Sequence, residues 1–567
     1  MHTHTRSRLN PNTQLRMSAT RKTNVWIPLI IAATFVGGLW AGSFFSNKEL
    51  PKSSYDKLNA ILGLINQEYV DDVNLDSIIE VTLPDLLSNL DPHSTYIPAK
   101  DMQSVNEELE GSFSGIGISF MMKNDTISII EVISGGPSEK VGLMPGDRIV
   151  TVNDSIVAGK ELSNEKVISL LRGPKGSKVN LGIKRSNTTE TLHYVVTRDD
   201  IPLTSVDASY IIAPEIGYLK INKFGRETYN EYLTNLAQLQ NEGATKYIID
   251  LRGNGGGFME MAILMANEFL PANQLIVFTK GRTKRESIAT QSDGNGSFQE
   301  NEIIILIDEY SASSSEILAG AIQDNDRGLI IGRRSFGKGL VQRQTEFADS
   351  SALRLTVSRY HTPSGRCIQK EYTPGKASDY SHEIINRYNH GEAFSADSIK
   401  LNKDQEFTTA HGRKVYGGGG IVPDIFVPND TSEISSYYIA IVNAGLLQKF
   451  AFDYCDLNRE SLNESESTSD LLSKLPSDET LLQSFVRYAA QNGVPARWRY
   501  INISYQLIVN QLKALIARDI LGSQSFYHIY NLRDECVQQA IKEMQAGNAK
   551  FPIVPKDNLI EDDLVTD

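Results

Sequence analysis

Between residues 216 and 360, short apolar runs alternate with stretches of helical pattern, and no other property of the chain limits its fold as tightly. IGYLKI (216–221) is followed by a Tyr/Leu-rich helical segment, then KYIIDLR (246–252), a Gly-rich turn and the helical MEMAILMANEFL (259–270). LIVFTK, IIILIDE, SSEILAGAIQD, GLIIG and SALRLTVSRYHT complete the series. The runs at 247–249 and 303–307 have no polar face, which suits strands buried on both sides, as in a parallel sheet flanked by helices. An α/β unit is therefore expected here. Upstream, 51–110 reads as helical, broken by DPHSTYIP (91–98) with its two prolines. From Gly111 to about 198 short alternating runs (GIGISF, ISIIEVI, DRIVTVN, KVNLGIKR, TLHYVVTR) surround one short helical segment, ELSNEKVISLL, as in a small mixed domain. Residues 370–420 read as loop-rich, 433–450 as helical, 457–480 as a Ser/Glu-rich linker and 480–546 as helices, before an acidic tail from Asn558 to Asp567. No internal repeat is visible. At 567 residues the chain is long enough for three or four domains, and the expected class is multidomain α+β.

One further run matters for placement. Residues 25–45, VWIPLIIAATFVGGLWAGSFF, carry no charge, and Arg6, Arg8, Arg16, Arg21 and Lys22 precede them without an acidic residue. A helix of that length spans about 30 Å, and the basic flank orients it with the N-terminus inside. A cleaved signal peptide is the competing reading, but the run is long for one and no A-x-A site follows. The balance of 69 acidic against 56 basic side chains, net −13, disfavours nucleic acid as a partner. Three scattered cysteines (Cys367, Cys455, Cys536) exclude a disulfide scaffold and a zinc-finger framework. No HExxH or clustered His/Asp/Glu set supports a metal site.

Three segments carry possible chemistry. YSASSSEILAGAIQD (310–324) places small hydroxyl residues between a buried strand and a helix, where free amide N–H groups can face developing negative charge. Taken alone, a serine at a helix start is usually an ordinary N-cap. GRRSFGKGLVQ (332–342) holds a glycine-flanked lysine. Its first seven positions fit GxxxxGK, but Gly339 stands where Mg²⁺ coordination needs Ser or Thr, and the strand-like LVQRQTEF follows, so nucleotide binding is not expected. Together the two segments are more suggestive, because a neutral lysine can take the proton of a serine. Neutrality at pH 7 costs about 4.6 kcal/mol and must come from burial. Gln342, four residues beyond Lys338, falls on the same face of a strand and is a candidate to hold the amine. DLRGNGGG (250–257) leaves a strand end where a turn can present an N–H to an oxyanion. No histidine has a spacing that selects a Ser–His–Asp triad.

SASSSEILAGAIQD, SFGKGLVQ, TPSGRCIQ (362–369), GGGGIVPD (417–424) and DLRGNGGG together resemble the carboxyl-terminal processing peptidases, serine endoproteases with a Ser–Lys pair and an inserted PDZ domain. The resemblance runs from about 55 to 430. It implies Ser313 as nucleophile, Lys338 as base, Gln342 as its companion, and the amides of Gly256 and Ser314 as the oxyanion hole, with Gly257 adjacent to the first. Ser314 stands where alanine is usual, so Ser311, Ser313, Ser314 and Ser315 all remain to be compared. Arg252 and Glu316 are expected to be structural supports, with an ion pair between them open. The 111–198 segment resembles a PDZ domain whose loop Gly115, Ile116, Gly117 and Ile118 receives a substrate C-terminus.

The implied organisation is a cytoplasmic basic tail (1–24), a transmembrane anchor (25–45), an N-terminal helical domain (48–110), a PDZ domain (111–198), a peptidase core (199–430), a helix and linker (431–480) and a C-terminal helical domain with the acidic tail (481–567). The implied activity is cofactor-free, metal-free hydrolysis of proteins with nonpolar C-termini, at a bacterial inner membrane with the catalytic portion in the periplasm. The rival readings are a non-catalytic membrane-tethered PDZ scaffold and a peptidase acting on cell-wall hydrolases or lipoproteins. Whether an adaptor protein is needed, and whether the C-terminal helices pack on the core or form a homodimer, stays open at this level.

Overall fold

A computed structural model describes residues 26–44, 53–185 and 188–550. The chain forms two units, Met1–Val81 and Thr82–Asp567. In the first, a helix covers Trp26–Phe44 and a second covers Ser54–Glu68, whose start is fixed by reciprocal bonds between Ser53 and Asp56. Among the described residues no helix is long and apolar enough to cross a membrane. The basic tail 1–24, both ends of the expected anchor (Val25 and Phe45) and the acidic C-terminal tail lie outside the described residues.

In the second unit, five antiparallel strands in the order Ile118–Lys123, Thr126–Val132, Arg148–Val152, Lys178–Lys184 and Leu192–Thr197 build the small β-domain. Their inward residues, among them Ile127, Ile149, Val179, Ile183 and Val196, make one buried core with Val167 of helix Asn164–Leu171. Ile118–Lys123 pairs on one side only, leaving an open sheet edge.

The α/β unit is a six-stranded sheet in the order Val206–Ala213, Ile216–Ile221, Lys246–Asp250, Glu302–Ile307, Leu329–Gly332 and Ile425–Phe426. Its first pair is antiparallel and the others are parallel. Successive residues of Glu302–Ile307 point to opposite faces. Ile303, Ile305 and Ile307 pack with Leu236, Ala262, Leu318 and Ile322 from three helices, while Ile304 and Leu306 meet Val537, Ala540 and Met544. The second face is thus covered by helix Glu535–Ala546, so the last of the C-terminal helices packs on the core.

Two expectations need correction. The 457–480 stretch is not a linker: it holds the end of helix Leu446–Leu462, helix Thr468–Lys474 and the start of helix Asp478–Gln491. Ser467 and Ser477 cap the latter two, so the serines that looked like linker composition are helix-start signals. Within 370–420, helix Ala377–Asn389 and a hairpin of Glu406–Thr408 with Lys414–Tyr416 stand where loops were expected. DPHSTYIP ends in a short strand, Thr95–Ile97, paired to Ala352–His361 of a second, antiparallel sheet. The three cysteines are free thiols.

Candidate active site

The three motif segments leave the carboxyl ends of three adjacent parallel strands: 251–257 after Lys246–Asp250, 308–313 after Glu302–Ile307, and 333–339 after Leu329–Gly332. That edge is where open α/β sheets place their sites.

The glycine turn is anchored from behind. Buried Asp250 accepts from Tyr218 Oη at 2.8 Å and from Arg252 through its backbone N, Nε and Nη2. Burial works against its ionisation, but the Arg252 guanidinium and Lys220 ammonium prevail and hold the carboxyl well below the usual range. Arg252 Nη1 also reaches both oxygens of Asp534, the cap of helix Glu535–Ala546, at 2.9 Å each. Arg252 therefore pairs with Asp250 and Asp534, and the ion pair with Glu316 that the sequence left open is not formed.

Asn254, fully buried, ties this turn to the serine segment. Its carbonyl accepts from Ala312 N at 3.0 Å and Ser315 Oγ at 2.9 Å, and its Nδ2 donates to Ile221 O. Its Oδ1 takes the Gly256 amide at 2.8 Å. The N–H expected to face an oxyanion is thus engaged by Asn254, the short amide side chain closing back on its own turn. Gly256 (φ +99°) lies against the serine: a Cβ there would sit 2.7 Å from Ala312 O and 2.8 Å from Ser313 Cβ, so only glycine fits.

The four serines differ in surroundings. Ser311 Oγ donates to Leu251 O at 2.9 Å and accepts from Asp308 N; Ser314 Oγ donates to Gly257 O and Ser315 Oγ to Asn254 O, both at 2.9 Å. All three are fully buried. Ser313 alone is partly exposed, and it sits at φ 57°, ψ −113°, a strained conformation for a residue other than glycine. Such backbone costs about 1–3 kcal/mol and persists only where its surroundings fix it. Here they do. Its N–H donates to Glu316 Oε2 at 2.9 Å, and its carbonyl accepts from Ile317 N and from Tyr360 Oη. The helix Ser314–Asp324 begins immediately after it.

Glu316 also fixes the lysine loop. Lys338 N donates to Oε2 at 2.9 Å, Gly337 N to Oε1 at 2.7 Å, and Ser335 Oγ to Oε1 at 2.5 Å. The Ser313 and Lys338 backbones therefore meet on one oxygen atom. Behind this loop Gly420 (φ +84°) packs so close that a Cβ would lie 2.7 Å from Ser335 O, which accounts for the last glycine of the GGGG run. Burial, followed by the Arg354 charge, lowers the proton affinity of Lys338, while Glu316 and Asp91 oppose the shift. His93 lies in the same field: burial first, then Lys338, brings it down to about 4, so it is neutral at pH 7.

Lys338 precedes the strand Leu340–Glu346, so a shared strand face does not bring Gln342 to it. Gln342 Nε2 instead points to Leu340 O and Thr356 Oγ1, both at 3.5 Å, and Thr356 Oγ1 donates to Asp91 Oδ1 at 3.1 Å. Asp91 and His93 were missed, although DPHS with its embedded proline was visible as a break in the helical pattern.

In the small β-domain, Gly115 ends one strand, Ile118 begins the open edge strand, and Ile116 and Gly117 join them. The Ile116 carbonyl accepts from Ser138 N and Oγ, and the Gly117 carbonyl from Ile133 N. Among the described residues, the amides of Ile116 and Gly117 donate to no protein acceptor.

Comparison with known proteins finds matches along much of the chain. The family model described as peptidase family S41 matches residues 215–381, a PDZ-domain model matches 114–196, and a family of unknown function matches 437–522. A carboxy-terminal-processing protease of Bartonella bacilliformis is 33% identical over 336 residues, 58% of this chain and 76% of that protein. A probable CtpA-like serine protease of Staphylococcus epidermidis is 33% identical over 324 residues, 57% of this chain and 64% of the relative, just under two thirds of its length. Among solved structures, the photosystem II D1 C-terminal processing protease matches at 22% identity and a TM-score of 0.33, over 66% of this chain and 93% of that one.

Proposed function

Because the chain belongs to the carboxy-terminal-processing serine proteases of peptidase family S41, we propose that it cleaves proteins with nonpolar C-termini by a Ser313–Lys338 mechanism. The observation that carries this reading is the meeting of the strained, partly exposed Ser313 with the Lys338 loop on Glu316. Ser313 Oγ attacks the scissile carbonyl carbon as Lys338 Nζ, whose proton affinity burial lowers, takes the hydroxyl proton in its neutral form. The Ser314 amide and one amide of the glycine turn stabilise the oxyanion. The Gly256 amide is held by Asn254, which leaves its neighbour Gly257 as the alternative donor. Lys338 returns the proton to the departing amine, and water then releases the acyl group by the same steps in reverse order. Gln342 acts on the lysine from a distance, through Thr356 and Asp91. No cofactor or metal takes part in this scheme.

The PDZ domain selects the substrate. A tail laid along the edge strand Ile118–Lys123 gains main-chain bonds, and its carboxylate meets the amides of Ile116 and Gly117. The full chain is expected to cut an unfolded protein ending in an apolar tail about tenfold faster, or more, than the same protein ending in Asp-Asp, with fragments followed by mass spectrometry. Equal rates sink the tail-recognition reading. Tail binding without cleavage, with the substrate fully unfolded, would point to the scaffold reading.

For location, the uncharged run 25–45 behind five basic residues supports a single-pass anchor in a bacterial inner membrane, with the catalytic portion in the periplasm. Membranes washed in alkaline carbonate should retain the full chain and release one that begins at Lys48. Release of both removes the anchor from this scheme.

A further inference from the structure

We propose that Glu316 is the positioning residue of the serine–lysine pair, a buried carboxylate that holds the Ser313 backbone and the Lys338 loop in register. The inference rests on the Ser–Lys reading above and goes beyond it by assigning a role to a side chain that touches no reacting atom.

Four donors converge on this carboxylate. Oε2 takes the amides of Ser313 and Lys338, each at 2.9 Å; Oε1 takes the Gly337 amide and the Ser335 hydroxyl. Glu316 is fully buried, and among the described residues no lysine or arginine forms an ion pair with it. Ser335 Oγ itself accepts from Ile421 N at 2.7 Å. Oε2 receives two N–H groups and Oε1 a third, so the ionised carboxylate, which accepts all four donors, is the form this arrangement favours. Burial pushes the Glu316 carboxyl above its ordinary value, and the bonds from Ser335, Lys338, Gly337 and Ser313 oppose that push.

Two consequences follow for catalysis. The strained conformation at Ser313 is held at its N–H by Glu316 and at its carbonyl by Ile317 N and Tyr360 Oη, so the direction of the serine depends in part on this carboxylate. The charge also acts on the base. Lys338 faces Arg354 from strand Ala352–His361, Asp91 and His93 from the stretch before Thr95–Ile97, and Glu316 from the serine helix; of these, Glu316 and Asp91 favour the ammonium. Glu316 thus costs the enzyme some of its neutral lysine while setting the geometry in which that lysine works.

The experiment compares wild type, Glu316→Gln, Glu316→Asp and Ser313→Ala in the full chain, with the apolar-tailed unfolded protein as substrate. For Glu316→Gln, KM should stay within about threefold while kcat falls about 100-fold, the size of loss expected from misplacing reacting groups by an ångström. The pH profile adds a readout that a merely structural role would move the other way. Activity needs neutral Lys338, so kcat/KM rises as pH rises through the lysine's pKa. Removing a neighbouring negative charge lowers that pKa, and the acid limb should move to lower pH by about 0.5 or more. A loosened loop that admits water would instead restore the ammonium's solvation and move the limb upward. Glu316→Asp keeps the charge but is a methylene short, so kcat should fall with the limb unmoved.

A Glu316→Gln enzyme with kcat within tenfold of wild type, or with its limb unmoved or raised, overturns the inference. If that variant does not fold, wild-type kcat in Glu316→Asp overturns it, and a fall in kcat with normal melting upholds it. Cleavage by Ser313→Ala would instead bring down the Ser–Lys reading itself, and this inference with it.

Discussion

Replacing Ser313 by alanine is expected to lower kcat/KM on an unfolded protein substrate by about 10⁴ to 10⁶, while Ser311→Ala, Ser314→Ala and Ser315→Ala each stay within about tenfold of wild type. The separation follows from where each hydroxyl points. Those of Ser311, Ser314 and Ser315 donate to the carbonyls of Leu251, Gly257 and Asn254 in the buried interior, so none is available to a substrate. Losing one of these bonds should cost about 0.5–1.5 kcal/mol of stability, seen as a lower melting temperature rather than lost chemistry. Ser314→Ala keeps the backbone amide proposed to bind the oxyanion. Lys338→Ala should match Ser313→Ala in severity, and the double variant should be no worse than either, because a nucleophile and its base act as one unit. If Ser313→Ala still cuts while one of the other three does not, the strained, partly exposed position is not the nucleophile, and the assignment of the site is wrong.

How much of this was legible beforehand depends on the kind of signal. The α/β sheet was legible because Ile303–Ile307 and Tyr247–Ile249 carry apolar groups on both faces, which leaves little choice but a covered strand. The three chemical segments were legible as strand ends with unusual composition. Their choice of serine was not, because burial and hydrogen bonding of Ser311, Ser314 and Ser315 depend on Leu251, Asn254 and Gly257, some sixty residues away. The same holds for Glu316. The sequence marks it, with Arg252, only as a structural support and leaves an ion pair between the two open; that guanidinium is claimed by Asp250, two residues before it, and by Asp534, 282 residues on. The helix Glu535–Ala546 shows the converse limit: its amphipathic pattern was plain, but nothing local says that it completes the second face of a sheet formed three hundred residues earlier. Composition misled at 457–480, where capping serines looked like a linker, and at 370–420, where polar sequence holds a helix and a hairpin.

Arg366→Ala is expected to destabilise the catalytic core by about 3–5 kcal/mol, the cost of leaving a buried charge without its partner. Arg366, in the TPSGRCIQ segment, is completely buried. Its Nη2 donates to Asp324 Oδ1 and Gln323 Oε1, both at 2.7 Å, and its Nη1 to Tyr416 O at 3.1 Å. Asp324 is the last residue of the helix that starts beside Ser313, so a carboxylate stands at the end of a helix whose dipole is already negative there. Ser364 Oγ donates to it at 2.6 Å, and the Arg366 guanidinium supplies its ion pair at 2.7 Å. For a domain of this size the loss corresponds to a melting temperature about 6–20 °C lower, measurable by calorimetry. Arg366→Lys should recover part of it, since an ammonium keeps the charge but cannot serve Asp324, Gln323 and Tyr416 from one planar fork. The deciding comparison is Arg366→Met with Asp324→Leu. Removing both charges avoids the stranded carboxylate, so this pair should melt above Arg366→Ala even though it has lost every polar contact of the cluster. A double variant that melts below Arg366→Ala would mean that the Asp324 carboxylate, through the bonds it accepts from Ser364 N and Oγ, holds the far end of the serine helix even without its charge partner. The consequence reaches the active site through Gln369, three residues beyond Arg366. Its Oε1 accepts the Gly339 amide at 2.8 Å, so a segment released by Arg366→Ala also frees the backbone next to Lys338, and activity should fall at temperatures where the rest of the sheet is still folded.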